Sequence, residues 1–378
     1  MRRLRWALIT GEYPPRSGGV ADYTAQLAAA LAQAGDEVHV LAPGPEYPLR
    51  GVEHHPLPDW GRRGRHLATD RLGQLSRRLP IQSLIQYVPH AYSPRAMNFG
   101  FARWILRLRP AQPWVMFHEV AVAAHAGAGP GRRLLARATQ ITARQIQTAA
   151  ARSFVSIPAW GAWLQQLAPG SPASHWLPVF SNLPATTHPA AVAALRRNLA
   201  PSPQPLIACF CRLDRFTRDH LLPLLAELLR RDSARRLLLL GGDGPRLGAE
   251  IVARVPASHP RIHAPGYLPR EELACHLAAS DLLIQAYADG ISTRRGTAMA
   301  GLALGCCLLT HAGHNTETVW RDSSAVALAP LPSLLPVAEA LLANPERRRE
   351  FAAAGRALYL ERFDLARTLC TLRQAALP

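Results

Sequence analysis

The opening forty residues constrain the fold most. Residues 4–10 are a nearly unbroken apolar run, and residues 11–19 (GEYPPRSGG) are rich in glycine and proline. Residues 20–34 then place Val20, Tyr23, Leu27 and Leu31 at helical spacing, and residues 37–41 turn apolar again after Gly35. A short buried run, a turn, a 3.6-residue period and a second run spell strand, loop, helix, strand, the opening of an α/β sheet. Residues 114–117, 154–157 and 177–180 read as further strands of that sheet. The pattern restarts later, with strands expected at 206–210, 237–240, 281–284 and 306–310 and helices at 219–231, 246–255, 269–278 and 296–304. Residues 182–205, proline- and alanine-rich, read as a short helix between linkers.

A chain of 378 residues suits two α/β domains of ordinary size. We expect the first over 1–185, a linker region over 186–204, the second over 205–355 and a helical tail over 356–378. With 48% hydrophobic and 18% charged residues, disorder throughout, collagen and coiled coil are excluded. Forty-three basic residues, overwhelmingly arginine, against 26 acidic ones give a formal charge of +17. That balance favours anionic partners such as nucleic acid, an acidic membrane surface or a phosphorylated small molecule, although a GC-rich genome enriches arginine, alanine and proline with no functional cause. Residues 61–78 (GRRGRHLATDRLGQLSRR) form a basic, partly helical stretch: a solvated helix face, or a surface for acidic lipid or a phosphorylated acceptor. Cys209, Cys211, Cys275, Cys306, Cys307 and Cys370 contain no CxxC pair and read as free thiols, several buried in strands, rather than zinc ligands or disulfides. The start lacks a signal-peptide pattern and no window approaches an apolar 20-mer, so the expectation is a cytoplasmic protein without a membrane span.

Several residues sit where chemistry would. Gly18 and Gly19, between strand and helix, either let an anion approach backbone amides or simply make an ordinary turn. His118, after PWVMF, is at the carboxyl end of a strand, where open α/β folds place ligands; it is either a sugar or proton partner or a structural histidine. Arg212, Arg215 and Arg218 in CRLDRFTRDH offer guanidiniums for a diphosphate, with Asp214 and Asp219 as competing ion-pair partners. Gly242, Asp243 and Gly244 in GGDGP either admit a ligand or make a capped turn. Asp289 to Gly305 (DGISTRRGTAMAGLALG) puts Ser292, Thr293, Arg294 and Arg295 before a helix start, where side chains, free amides and the dipole can all address a phosphate. HExxH, GxSxG, Walker, GxGxxG, kinase, zinc-finger and RNP-like patterns are absent.

GEYPPRSGGVADYTAQLAAALAQAGDEVHVL, FHE, CRLDRF, GGDGP and DGISTRRGTAMAGLALGCCLLTHAG, in that order and spacing, resemble family 4 of the nucleotide-sugar glycosyltransferases over nearly the whole chain. The resemblance implies a GT-B architecture, with two Rossmann-like domains facing across a cleft and a terminal helix packing back on the first domain. It also implies retaining, metal-free transfer of a sugar from a nucleoside diphosphate sugar, which is a substrate and not a cofactor. On this basis Gly18 and Gly19 lie by the diphosphate and acceptor, His118 by the transferred sugar, and Arg212 on the diphosphate. Gly242 and Gly244 belong to a nucleotide-side loop, and Ser292 to Thr297, including Gly296, hold sugar and phosphates.

Two features depart from the pattern. Thr217, followed by Arg218, stands where the family has lysine, and Ser292 and Ala300 stand where it has paired glutamates. Glu317 and Asp289 are the expected substitutes. In the resulting mechanism Arg212 and Arg218, helped by Arg294 or Arg295, neutralise the leaving diphosphate while His118 orients the sugar. The acceptor is a glycan, a lipid-linked glycan reached at the inner membrane face, or a soluble metabolite. A noncatalytic nucleotide-sugar or glycan-binding protein is the alternative, and nucleic acid, resting on net charge alone, is not an expected partner.

Overall fold

The computed structural model describes residues 3–377 except 17, 94, 109, 110, 124–126, 128 and 211. The chain divides into two compact units, Met1–Pro178 with Leu365–Pro378, and Val179–Asp364.

The first unit is built on seven parallel strands: β1 (Arg5–Thr10), β2 (Glu37–Pro43), β3 (Val52–Leu57), β4 (Gln82–Tyr87), β5 (Trp114–Phe117), β6 (Arg152–Val155) and β7 (His175–Trp176). Their order is β3-β2-β1-β4-β5-β6-β7. Parallel strands need crossovers, and α1 (Gly19–Gln33), α2 (Arg62–Arg78), α3 (Phe99–Arg107), α4 (Pro130–Ala149) and α5 (Pro158–Leu167) fall between them. Sheets covered on both faces carry continuous apolar strands. Trp6, Ala7, Leu8 and Ile9 are accordingly all buried. Helix α2 shows the opposite pattern: Gly64, Ala68, Leu72 and Leu75 are its buried stripe, and Arg62, Arg63, Arg71, Arg77 and Arg78 are exposed, while the half-buried Arg65 donates to the Trp60 carbonyl at 2.6 Å.

The terminal helix Leu365–Ala376 belongs to this unit. The buried Asp36 carboxylate fixes it, taking Arg373 at 2.5 Å, the Leu4 amide at 2.9 Å and the Trp6 indole at 3.0 Å. A buried carboxylate is tolerated only when paired and hydrogen-bonded in this way.

The second unit has six parallel strands: β8 (Leu206–Phe210), β9 (Arg236–Leu240), β10 (Ile262–Gly266), β11 (Leu282–Ile284), β12 (Leu308–Thr310) and β13 (Ala327–Leu328). Their order is β10-β9-β8-β11-β12-β13. Around them lie α6 (Pro189–Leu199), α7 (Leu222–Arg231), α8 (Gly244–Arg254), α9 (Arg270–Ala278), α10 (Gly296–Ala303), α11 (Thr318–Asp322), α12 (Leu334–Ala343) and α13 (Pro345–Arg362). A π-helical turn, Thr217–Leu221, leads into α7. Leu225, Leu228 and Leu229 of α7 pack with Leu237 and Leu239 of β9 and Ala338 of α12 in the core.

One expected strand is absent. Residues 177–180 are buried but not paired as a strand, because Pro178 has no amide to donate and the run is split between the units. Leu177 donates its amide to Val155, and Val179 donates to Thr293. Among the described cysteines none is disulfide-bonded, and Cys211 lies outside the described residues. No described helix is long and apolar enough to cross a membrane.

Candidate functional site

In an open parallel sheet, ligands bind beyond the carboxyl ends of the strands where the order reverses. In the second unit that point lies between β8 and β11, and the loops after them hold Arg212 and the segment 285–295. In the first unit it lies between β1 and β4, and the glycine loop follows β1. The two sets of loops are described separately.

Arg212 is exposed and has no hydrogen-bond or ion-pair partner among the described residues. Its neighbours are engaged. Arg218 lies on the Glu250 carboxylate at 3.0–3.2 Å, which raises the guanidinium's already high pKa, and Arg215 pairs with Asp219 at 3.4 Å. Thr217 is buried and donates its amide to Asp214 at 2.8 Å, starting the turn.

Asp243 does not cap α8 with its side chain. It accepts the Leu213 amide at 3.0 Å and so ties the Arg212 loop to the loop after β9. A Cβ on Gly244 would sit 2.5 Å from the Leu239 carbonyl oxygen, so that glycine is a packing requirement. Gly242 makes room for the Tyr267 ring, which would be 2.5 Å from a Cβ there. Tyr267 is 83% exposed and presents its ring at the end of β10, a feature the sequence reading missed. Its signal is an aromatic directly after a strand's carboxyl end.

The segment after β11 is a charge network. Asp289 takes Arg294 and Asn315 at 2.9 Å each on one oxygen and Arg295 on the other. Two guanidiniums on one carboxylate leave one net positive charge at the start of α10. Arg295 also lies 4.7 Å over the Tyr287 ring, whose hydroxyl meets Thr297 at 2.9 Å. Ser292 and Thr293 are buried, and the Ser292 hydroxyl has no hydrogen-bond partner among the described residues. Gly296 opens α10 with nothing within 4 Å of where a Cβ would stand.

Glu317 lies beneath this turn. One carboxylate oxygen accepts both the Thr293 amide and hydroxyl, the other accepts the Trp320 indole at 2.8 Å, and burial raises its pKa. Ala300 is buried within α10. His311, after β12, was also missed, although its place at a strand's carboxyl end is the signal that picked out His118. Its Nδ1 faces the Ala312 carbonyl at 3.0 Å and its Nε2 accepts the Tyr287 amide, which fixes the neutral tautomer; burial lowers its pKa.

In the first unit, His118 is buried, with Nε2 2.8 Å from the Gln86 side-chain oxygen and its ring edge-on to Tyr23 at 4.7 Å. Burial pushes its pKa down to about 3, so the ring is neutral at ordinary pH. Gly18 stands against Glu12, whose oxygen would be 2.4 Å from a Cβ, whereas Gly19 has open space. Burial raises the Glu12 carboxyl's pKa, Arg16 opposes this, and Asp22 and Glu119 add to it. Ser17 lies outside the described residues.

No protein-family model matches the chain, and no curated protein does. Solved structures match over nearly its full length. Sucrose-phosphate synthase from Thermosynechococcus elongatus is 18% identical, covers 99% of this chain and 98% of its own, and superposes with a TM-score of 0.75. A glycosyltransferase from Rickettsia africae is 13% identical, with coverage of 99% and 98% and a TM-score of 0.71. HepE from Anabaena, solved with UDP and glucose, is 14% identical, with coverage of 99% and 100% and a TM-score of 0.67. The fold is therefore that of GT-B proteins: two Rossmann-like, parallel-sheet domains of seven and six strands.

Proposed function

We propose that this protein is a retaining glycosyltransferase that moves a sugar from a nucleoside diphosphate sugar to a hydroxyl acceptor. The observation that carries the reading is Arg212. It is an exposed guanidinium without a partner among the described residues, held at the switch point of the second sheet by the Leu213–Asp243 bond. A planar donor fork in that position suits a diphosphate. The net positive charge of the Asp289–Arg294–Arg295 group and the open α10 start at Gly296 support the same assignment, as does the Tyr267 ring as a surface for the base. HepE was solved with UDP and glucose, which makes UDP-glucose the first donor to try.

In this mechanism the bond between the sugar's anomeric carbon and the diphosphate oxygen breaks as the acceptor oxygen bonds to that carbon on the same face. The acceptor proton passes to the departing phosphate oxygen. Arg212 stabilises the charge that develops on the diphosphate. Arg218 contributes only on leaving Glu250, so Arg212 bears most of that role. His118, neutral and held on Gln86 through Nε2, offers Nδ1 to a sugar hydroxyl. Retention rests on the family 4 resemblance, and Glu317, occupied by Thr293 and Trp320, acts on the donor through the turn it supports.

The test is binding and slow hydrolysis across UDP-, GDP-, ADP- and dTDP-sugars with the purified chain. One donor bound selectively, with release of its nucleoside diphosphate, is the expected result. Binding without release, with or without acceptor, would favour a noncatalytic sugar-nucleotide-binding protein. No binding to any donor would overturn both readings.

A further inference from the structure

The proposed transfer leaves unused a group of side chains at the β3 edge of the first sheet. Strands β2 and β3 pair with His39 beside Glu53 and Leu41 beside His55. Because side chains alternate along a strand, His39, Glu53 and His55 share one face. His39 Nδ1 is 3.0 Å from His55 Nε2 and 3.3 Å from one Glu53 oxygen, and His55 Nε2 is 3.7 Å from the other. Both imidazoles are buried, while the Glu53 side chain is 61% exposed. Ligands placed tetrahedrally at zinc distances of about 2.0–2.1 Å stand roughly 3.3 Å apart, the middle of this range.

The ring orientations suit ligation. His39 Nε2 is 2.9 Å from a Glu37 oxygen, which only accepts, so Nε2 carries the proton and the Nδ1 lone pair faces His55 and Glu53. Arg5 holds Glu37 in turn at 2.7 Å. A carboxylate behind a histidine is the outer support that fixes metal-ligating imidazoles. A pocket of 390 Å³ lined by His39, Glu53, Glu37 and Glu46 gives a route from solvent. The sequence shows no spacing motif for this set because its histidines lie sixteen residues apart and meet only through strand pairing.

We propose that His39 Nδ1, His55 Nε2 and the Glu53 carboxylate bind a divalent transition metal of the zinc class, with a fourth position open to water from the pocket. Two imidazoles and one carboxylate select zinc, cobalt or nickel over magnesium and calcium. The metal would clamp the edge strand β3 to β2.

The test strips the full chain with chelator and titrates it with Zn²⁺ alone, then with Co²⁺ alone. One Zn²⁺ per chain is expected, with no competition from excess Mg²⁺, and Co²⁺ should give tetrahedral visible absorption. His55→Gln and Glu53→Gln should each weaken Zn²⁺ binding by at least about tenfold to a hundredfold, the range for loss of an outer support of a metal ligand. His66→Gln, an exposed histidine on α2, should leave it unchanged. Glu53→Gln alters an exposed side chain and so reports on the site even if the histidine variants fail to fold. Zn²⁺ should raise the melting temperature of the parent, and the two proteins should melt alike in chelator. Equal Zn²⁺ binding by Glu53→Gln and parent, or no uptake by the parent, would overturn the proposal and leave a hydrogen-bonded histidine pair.

Discussion

The backbone amide of Leu213 donates to the Asp243 carboxylate at 3.0 Å and joins the loop after β8 to the loop after β9. Arg212 adjoins that bond, so its direction depends on a side chain thirty residues beyond Leu213. Asp243→Ala should cost about 1.5–3 kcal/mol of stability, the range for a hydrogen bond to a charged group, and should weaken nucleoside diphosphate binding by roughly tenfold. Urea unfolding and calorimetric titration with UDP check the two effects. Unaltered UDP affinity would detach Asp243 from the proposed site.

Two glycines, one in the loop before α10 and one at the start of that helix, should behave oppositely. Gly290 has φ +82°, and a Cβ there would meet the Gly313 amide nitrogen at 2.1 Å. Gly290→Ala should therefore cost at least about 2 kcal/mol. Gly296→Ala meets nothing and should leave unfolding within about 0.5 kcal/mol of the parent, yet it should weaken donor binding where the phosphates approach α10. Unchanged affinity in Gly296→Ala would place the phosphates elsewhere.

His118 gives a pH signature. Its folded pKa of about 3 lies below the ordinary 6.5, so between those values the unfolded chain takes up a proton that the folded chain refuses. Stability contributed by the neutral ring is present above pH 6.5 and is lost progressively as pH falls. Urea midpoints at pH 7 and pH 5 should differ less in His118→Gln than in the parent. Equal differences would show that the ring is not held neutral by the fold.

Helix α2 exposes Arg62, Arg63, Arg71, Arg77 and Arg78, with Leu67 exposed among them and Leu79 just beyond its end. If the acceptor is lipid-linked, the chain should sediment with anionic vesicles at low salt and be released at high salt. Replacing those arginines with glutamine should abolish binding. Sedimentation indifferent to salt and to the arginines would favour a soluble acceptor.

Part of the fold was legible because several strands are continuous apolar runs, as in residues 4–10 and 206–210, whereas the central strand β4 (QSLIQY), interrupted by polar residues, was not. Strand β3 (VEHHPL) was not, since its histidines, glutamate and proline obscure the alternation that only pairing with β2 reveals. The candidate site was legible as loops after strands, and Arg212, His118 and the segment 289–297 do stand at carboxyl ends of parallel strands. Pairing within those loops was not legible. Arg218 on Glu250 and Thr293 on Glu317 join residues 32 and 24 apart, and one sequence carries no signal for which carboxylate takes which donor.

The central claim is that Arg212 stabilises a departing nucleoside diphosphate, and the most direct measurement compares diphosphate release by the parent and Arg212→Ala with the donor selected from the panel. The account predicts release by the parent and at least a hundredfold slower release by the variant, on the order of what loss of one charge-stabilising donor costs, with unchanged circular dichroism and melting temperature. Equal release by the two folded proteins would contradict it.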